Sequence, residues 1–416
     1  MNATTSAGRA DGGGLTGRGF RWLLGANAVS YLGDGLLVVA LPLLAASVTE
    51  EAWLVTAVFA FQRLPWLFAP LLGAWSDRYR RPRTVMMGAD LVRAVTLLVL
   101  ALAVAAEVTL PAVYVTAVVL GIGDIVFSSA AFTYVRHLLS RDQLTSANAR
   151  IGIAQTWGEQ VIGPIAGGTV FGLGRYVPVV GDALSFAASG LMLTRVPEVV
   201  VEQPGSGAPS LLADARDGWR ALRSDPRLWR LVVWIALLAF AATMQVSAIV
   251  LIGRDQLGLE PAWIGVFSAL IAGGNVIGAA VAPAVLSRLD DYSTLLACTA
   301  TVAVANGVAA STRSTVVVTA ALVIDGIAVM IANIGTRTVR QRLAPANMIG
   351  RIMATSRMLT IGVQVLGATA GGWIISNHGT QTALAVASAW MFGLILLGSR
   401  WLRRGMRHVP DPEARP

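Results

Sequence analysis

The stretch GAWSDRYRRPR, Gly73 to Arg83, decides how this chain is read. It sets one Asp and four Arg together in a sequence that is only 13% charged. On either side lies an apolar run of about 20 residues, enough to cross about 30 Å of hydrocarbon as a helix. Charge gathered at a bend between two such runs is the pattern of a loop at a membrane surface.

Outward from that bend the alternation repeats along the chain. Of the 416 residues 55% are hydrophobic, with a mean hydropathy of +0.66. The apolar runs predict twelve transmembrane helices, at 20–47, 53–75, 84–106, 110–134, 150–173, 176–196, 227–252, 260–286, 292–311, 314–336, 350–376 and 380–402. The polar, Gly-rich residues 1–19 do not have the form of a cleavable signal peptide and read as a disordered cytoplasmic N-terminus. The expected domains are a six-helix bundle over 20–196, a linker over 197–226, a second six-helix bundle over 227–402 and a tail over 403–416. Within the linker, LLADARDGWRALRSD has the pattern of an amphipathic helix lying on the membrane surface.

All 32 basic residues are Arg. Without Lys the chain holds no P-loop lysine and can form no lysine Schiff base. Twenty-seven of the Arg fall on one alternate set of segments, three on the opposite loops, and two, Arg63 and Arg93, within spans. The positive-inside rule then puts both termini in the cytoplasm, so the net charge of +9 reads as orientation, not as nucleic-acid binding. The single Cys298 allows no intrachain disulfide, and His137, His378 and His408 have no metal-ligand spacing.

The two halves share a repeat. Residues 135–168 and 339–372 align at a constant offset of 204, with identities at Val135/Val339, Arg136/Arg340, Leu139/Leu343, Thr156/Thr360 and Gln160/Gln364. They continue through Val161/Val365, Gly163/Gly367, Ala166/Ala370, Gly167/Gly371 and Gly168/Gly372. Two duplicated six-helix halves suit a transporter with its site at mid-depth.

The stretch Gly73, Asp77, Arg78, Arg80, Arg81 resembles the loop motif of the major facilitator superfamily, departing from it at Arg80, where Gly is usual. The second half keeps only Arg288 of it, in AVLSRLDD. The resemblance implies an all-α membrane fold of two pseudo-symmetric six-helix bundles. It also implies a gating latch built on Gly73, Asp77, Arg78, Arg81 and Arg136, with the segment around Arg340, Arg342 and Arg351 as partner. In span five, Gly163-Pro164-Ile-Ala-Gly167-Gly168 resembles the GPxxGG signature of proton-coupled drug exporters, with Glu159 where that family has Gly. Pro164 bends the helix and the glycines permit close packing. SYLGDGL (30–36), DLVRA (90–94) and GDALSF (181–186) look like the branch of macrolide and enterobactin exporters.

An acid inside the bilayer needs a reason, because ionised Asp costs about 2.5–3.5 kcal/mol at its centre. Asp34, Asp90, Asp124, Glu159, Asp182 and Asp325 lie within spans. The resemblance places spans one, four, seven and ten around a central cavity. It thereby selects Asp34 and Asp124 as proton-coupling groups, with Asp325, Gln245 and Asn333 as further cavity residues. A hydrogen bond to an adjacent helix is the structural alternative for each acid. Asp90 and Arg93, three apart, can pair on their own helix. Asp182, near the outer end of its span, is expected to be wet. Phe127, Phe132, Trp157, Phe240, Met244 and Met330 would suit an amphipathic cargo, or serve as ordinary packing.

The expected protein is a monomeric exporter of a hydrophobic or amphipathic molecule in the cell inner membrane. It would be driven by the proton gradient with no cofactor, and its partners would be its small-molecule substrate and membrane lipid. A siderophore exporter or a proton-coupled importer of the same fold is the alternative. The remote alternatives from another class are a membrane-embedded enzyme and a non-transporting receptor. The enzyme would want a nucleophile–base set or metal ligands, which the His usage does not offer. The receptor would normally bring an extra soluble domain, where the long loop here is the 197–226 linker.

Overall fold

The computed structural model describes residues 14–15, 17–76, 78–201, 211–345 and 348–406, and every regular element among them is helical. Ten helical segments among the described residues are long and apolar enough to cross a membrane. They match the expected spans except the fifth and sixth. The sixth is a shorter apolar helix, Val177–Leu193, and the fifth is interrupted by a wide turn. Close packing divides the chain into two compact units, Met1–Val48 with Phe68–Ala208 and Pro261–Val266, and Thr49–Leu67 with Pro209–Glu260 and Phe267–Pro416.

The first unit holds α1 (Arg18–Ala46), α3 (Ala69–Ser76), α4 (Pro82–Ala106), α5 (Leu110–Leu138), α6 (Arg141–Gln155), α7 (Gly163–Phe171) and α8 (Val177–Leu193). α1 runs along α8 on one side and along α6 and α7 on another, while α4 packs on α5 and α8. α4 shows why the chain needs lipid. Its exposed face carries Leu91, Val95, Leu98, Val99 and Leu102, the last 72% exposed, whereas its buried face carries Asp90 and Arg93, each 1% exposed. That is the reverse of a soluble helix and requires an apolar solvent. Between α6 and α7 the helix widens into a π-type turn at Thr156–Ile162. Pro164 has no N–H to donate, and its ring presses on the turn before it, so the ladder is relaxed there.

The second unit holds α2 (Ala52–Arg63), α9 (Leu211–Ser224), α10 (Pro226–Val246), α11 (Ile249–Leu251), most of α12 (Pro261–Leu286), α13 (Asp291–Ser311), α14 (Thr315–Leu343), α15 (Ile349–His378) and α16 (Thr380–Met406). α2 ends at Arg63 because Pro65 follows, and the chain tightens into a 3-10 turn at Leu64–Phe68. α15 packs on α10, α2 and α9, and α13 on α14 and α16, around a core that includes Leu231, Trp234, Val302, Ile331 and Met391. Asp290 caps α13 by accepting the backbone N–H groups of Tyr292 and Ser293, each at 3.1 Å. Hydrogen bonding from Ser293 and from these amides holds its carboxyl below the usual carboxylate range.

The linker helix packs on α15. α9 sets Gly218 against the backbone of α15, where a side chain would collide with Thr355 and Arg351. Leu222 is buried with Leu228, Val232 and Ile352, while Trp219 on the same helix is 37% exposed.

Candidate functional site

The glycines of the bend motif do what only glycine permits. A Cβ on Gly163 would collide with Gly35 of α1, one on Gly167 with the carbonyl of Leu36, and one on Gly168 with the carbonyl of Pro261. Gly158, in the wide turn, meets the backbone of Tyr31 and Leu32 in the same way. The Pro164-relaxed helix therefore lies directly on the α1 backbone along the Tyr31–Leu36 segment. The second unit repeats this arrangement 204 residues later: Gly367 abuts the backbone of Phe240, Gly371 that of Met244, and Gly372 meets Trp53 and Thr56.

That packing positions Asp34 at the heart of the first unit. Asp34 is half-buried on α1, within electrostatic range of Asp182, Arg93, Asp124 and Glu159, and Tyr31 feels the charges of Asp124, Glu159, Asp34 and Arg93. Asp124, on α5, is partly buried and engaged with its neighbours. Glu159 is held by Gln155 at 3.0 Å. The expected wet environment of Asp182 is corrected: it is wholly buried, because α8 packs against both α1 and α4.

Arg93 lies at the centre of this group. It donates to Asp90 at 2.5 Å, and Ser189 of α8 donates to the other oxygen of Asp90 at 2.7 Å. Its guanidinium carbon stands 4.0 Å from the centre of the Phe186 ring and 5.0 Å from that of Phe127. Gly123 leaves room for its aliphatic stem, since a Cβ there would approach Arg93 Cδ to 2.6 Å. The i,i+3 spacing revealed the ion pair, but nothing in the sequence showed that α5 and α8 close over it.

In the second unit Asp325 is buried and accepts from Asn306 at 2.9 Å. Gln245 is 3% exposed, with its Oε1 lacking a partner among the described residues. Phe240 stacks on Trp390 with ring centres 5.0 Å apart, and Met244 is buried against Gly371. Asn333 and Trp157 are exposed, whereas Phe127 is buried beneath Arg93.

Of the loop motif, Asp77 lies outside the described residues. A Cβ on Gly73 would meet Ser129 of α5 only at an ordinary contact of 3.4 Å, and Arg81 precedes α4 as its N-cap. Arg78 is exposed but engaged, and Arg136 reaches the Phe132 ring at 5.8 Å. Arg351 pairs with Asp217 of α9 at 3.7 Å, and Arg340 donates to the carbonyl of Thr336. Arg342 is bound by both oxygens of Asp291, at 2.9 and 3.2 Å. Sequence reasoning passed over Asp291, although its place beside Arg288 in the degenerate second copy of the motif was a usable signal.

Ten membrane-length apolar helices among the described residues, a duplicated glycine packing motif and an acid cluster inside the first unit fit a membrane transporter. The chain belongs to the Major Facilitator Superfamily, whose profile matches residues 23–360. It is 26% identical over 391 residues to the enterobactin exporter EntS of Shigella boydii serotype 4, spanning 91% of this chain and 90% of that one. It is 25% identical over 207 residues to the putative bacilysin exporter BacE of Bacillus subtilis, spanning 49% and 51%. Among solved structures, the nucleoside transporter NupG superposes with a TM-score of 0.75 at 15% identity, over 94% of this chain and 99% of that one. A bacterial homologue of the iron transporter ferroportin superposes with a TM-score of 0.70 at 17% identity, over 91% and 98%. The chain is thus a multi-pass membrane transporter and not an enzyme.

Proposed function

We propose that this transporter exports a hydrophobic or amphipathic organic compound across the cell inner membrane in exchange for protons. The observation that carries the reading is the acid cluster around Asp34, in a chain similar to an exporter over most of its length. Protonation of Asp34 or Asp124 from outside releases cargo and favours the inward-facing state; deprotonation to the cytoplasm restores affinity for cargo. The Asp77–Arg loop acts as a breakable latch, since exposed ion pairs contribute only about 0–1 kcal/mol each. The protein works as a monomer, with both termini cytoplasmic, needs no cofactor, and engages only its cargo and membrane lipid. Such export would confer resistance to a toxic cargo. Similarity to the enterobactin exporter favours siderophore export as the second reading.

The test uses inside-out vesicles energised with a proton gradient, with labelled enterobactin and a fluorescent amphipathic dye as probes. Uptake of one probe is expected, abolished by a protonophore and by the Asp34→Asn/Asp124→Asn double variant. Full gradient-driven uptake in the double variant would exclude the proton role, and flux in the opposite direction would exclude export.

A further inference from the structure

The carboxyls of the first unit are not equivalently satisfied. Asp90 has a donor on each oxygen, Arg93 on one and Ser189 on the other. Asp182 has one: Ser185 donates to Oδ1 at 2.9 Å, while Oδ2 is buried without a partner among the described residues, and the residue is 0% exposed. An ionised carboxylate offers about four lone-pair sites and pays heavily for burial without donors or a cation. Among the described residues the cation acting on the group is Arg93, which is committed to Asp90. The groups that act on Asp182 are Asp34 from α1 and Asp90 and Arg93 from α4, with Ser185 on α8 itself. Three acids, Asp34, Asp90 and Asp182, thus share one guanidinium.

The contact between α1 and α8 brings two of these acids to one place. A side chain at Gly33 would collide with Asp182 Oδ1 and Ser185 Oγ, so the α1 backbone lies against the Asp182 carboxyl, with Asp34 the next residue along. Asp182 is among the charged side chains within electrostatic range of Asp34. Asp34 is partly exposed, while Asp182 is sealed.

We infer that Asp182 is a second proton-exchanging group, filled and emptied through Asp34 across the Gly33 contact, with Arg93 reserved for Asp90. In the transfer the O–H bond of the Asp34 carboxyl breaks as one forms on Asp182, and the negative charge moves the opposite way, so no other reactant is needed. The inference rests on the proton-coupled reading above and adds a sealed inner store to its accessible outer carboxyl.

The test reads protons alone. The full-length protein in lipid vesicles is stepped in pH, and the infrared C=O absorbance of protonated carboxyls is followed in H2O and D2O. Wild type, Asp182→Asn, Asp34→Asn and the double variant are compared. Each single variant is expected to lose part of the pH-dependent band, and the double variant both parts. The Asp34→Asn protein should fill the remaining Asp182 band more slowly after a pH jump. Asp182→Glu, which restores a carboxyl, should restore a band. An Asp182→Asn spectrum identical to wild type, beside a diminished Asp34→Asn spectrum, overturns the inference and leaves proton coupling through Asp34 intact. If Asp182→Asn does not fold, Ser185→Ala substitutes: a displaced pH midpoint supports the assignment, and an unmoved one overturns it. The vesicle transport experiment does not depend on Asp182, so the two readings fail separately.

Discussion

Arg93 is the residue whose burial in the first unit needs most explanation. An isolated Arg at the bilayer centre costs about 2.5–3.5 kcal/mol on insertion scales, and here the guanidinium is 1% exposed. Three contacts offset that cost: the Asp90 carboxylate, and the faces of Phe186 and Phe127. A desolvated cation–π contact contributes up to about 2 kcal/mol. Removing one member of a buried pair strands the other, so Arg93→Gln should destabilise the protein by about 3–5 kcal/mol. The Asp90→Asn/Arg93→Gln double variant should lose less than the two single variants combined, since it strands no charge. Thermal unfolding followed by tryptophan fluorescence would check this, and additive losses would show that the pair is not coupled. The same logic explains what could be read of the site from sequence. Asp90 and Arg93 pair on one helix at a spacing visible to any reader. Phe186, Ser189 and Gly123 come from helices far along the chain, and only folding reveals them.

Among the helices, the 204-residue repeat preserved packing and let the chemistry diverge. Gly163, Gly167 and Gly168 lie on α1 and the start of α12, and their counterparts Gly367, Gly371 and Gly372 lie on α10 and α2. At that offset Asp124 maps to Ala328, Glu159 to Val363 and Asp182 to Val386, so the acid cluster belongs to the first unit alone. Gly167→Val and Gly367→Val should therefore be equally harmful, each forcing a helix pair apart at about 1–3 kcal/mol. Gly152→Ala, where a Cβ meets nothing within 4 Å, should be neutral or stabilising by up to about 1 kcal/mol. Size-exclusion profiles and unfolding midpoints of the three variants would separate these outcomes. Pro164 made a bend legible in advance; that the bend takes the form of a wide turn placing Glu159 within electrostatic range of Asp34 on α1 was not.

For the whole molecule, orientation is the property that the chain states most plainly. The 27 Arg on one set of segments predict cytoplasmic termini. Cys298 is buried, so it leaves a quiet background for single introduced cysteines. Glu51→Cys should react with a membrane-impermeant maleimide on intact spheroplasts, and Arg288→Cys only on inside-out vesicles. The reverse pattern would invert the topology.

Composition, Arg distribution and the internal repeat by themselves determined a twelve-span, duplicated membrane transporter, because lipid forces every backbone polar group into helices and every surplus apolar residue outward. These are one-dimensional signals, carried by runs and periods along the chain. The tertiary structure alone decided which acids meet. Asp182, expected to be wet, is sealed against Gly33; Arg93 is caged between α5 and α8; and the linker helix buries Leu222 against Ile352 of α15. The physical reason is that burial and pairing depend on which helix faces adjoin, and those faces are fixed only when the helices pack.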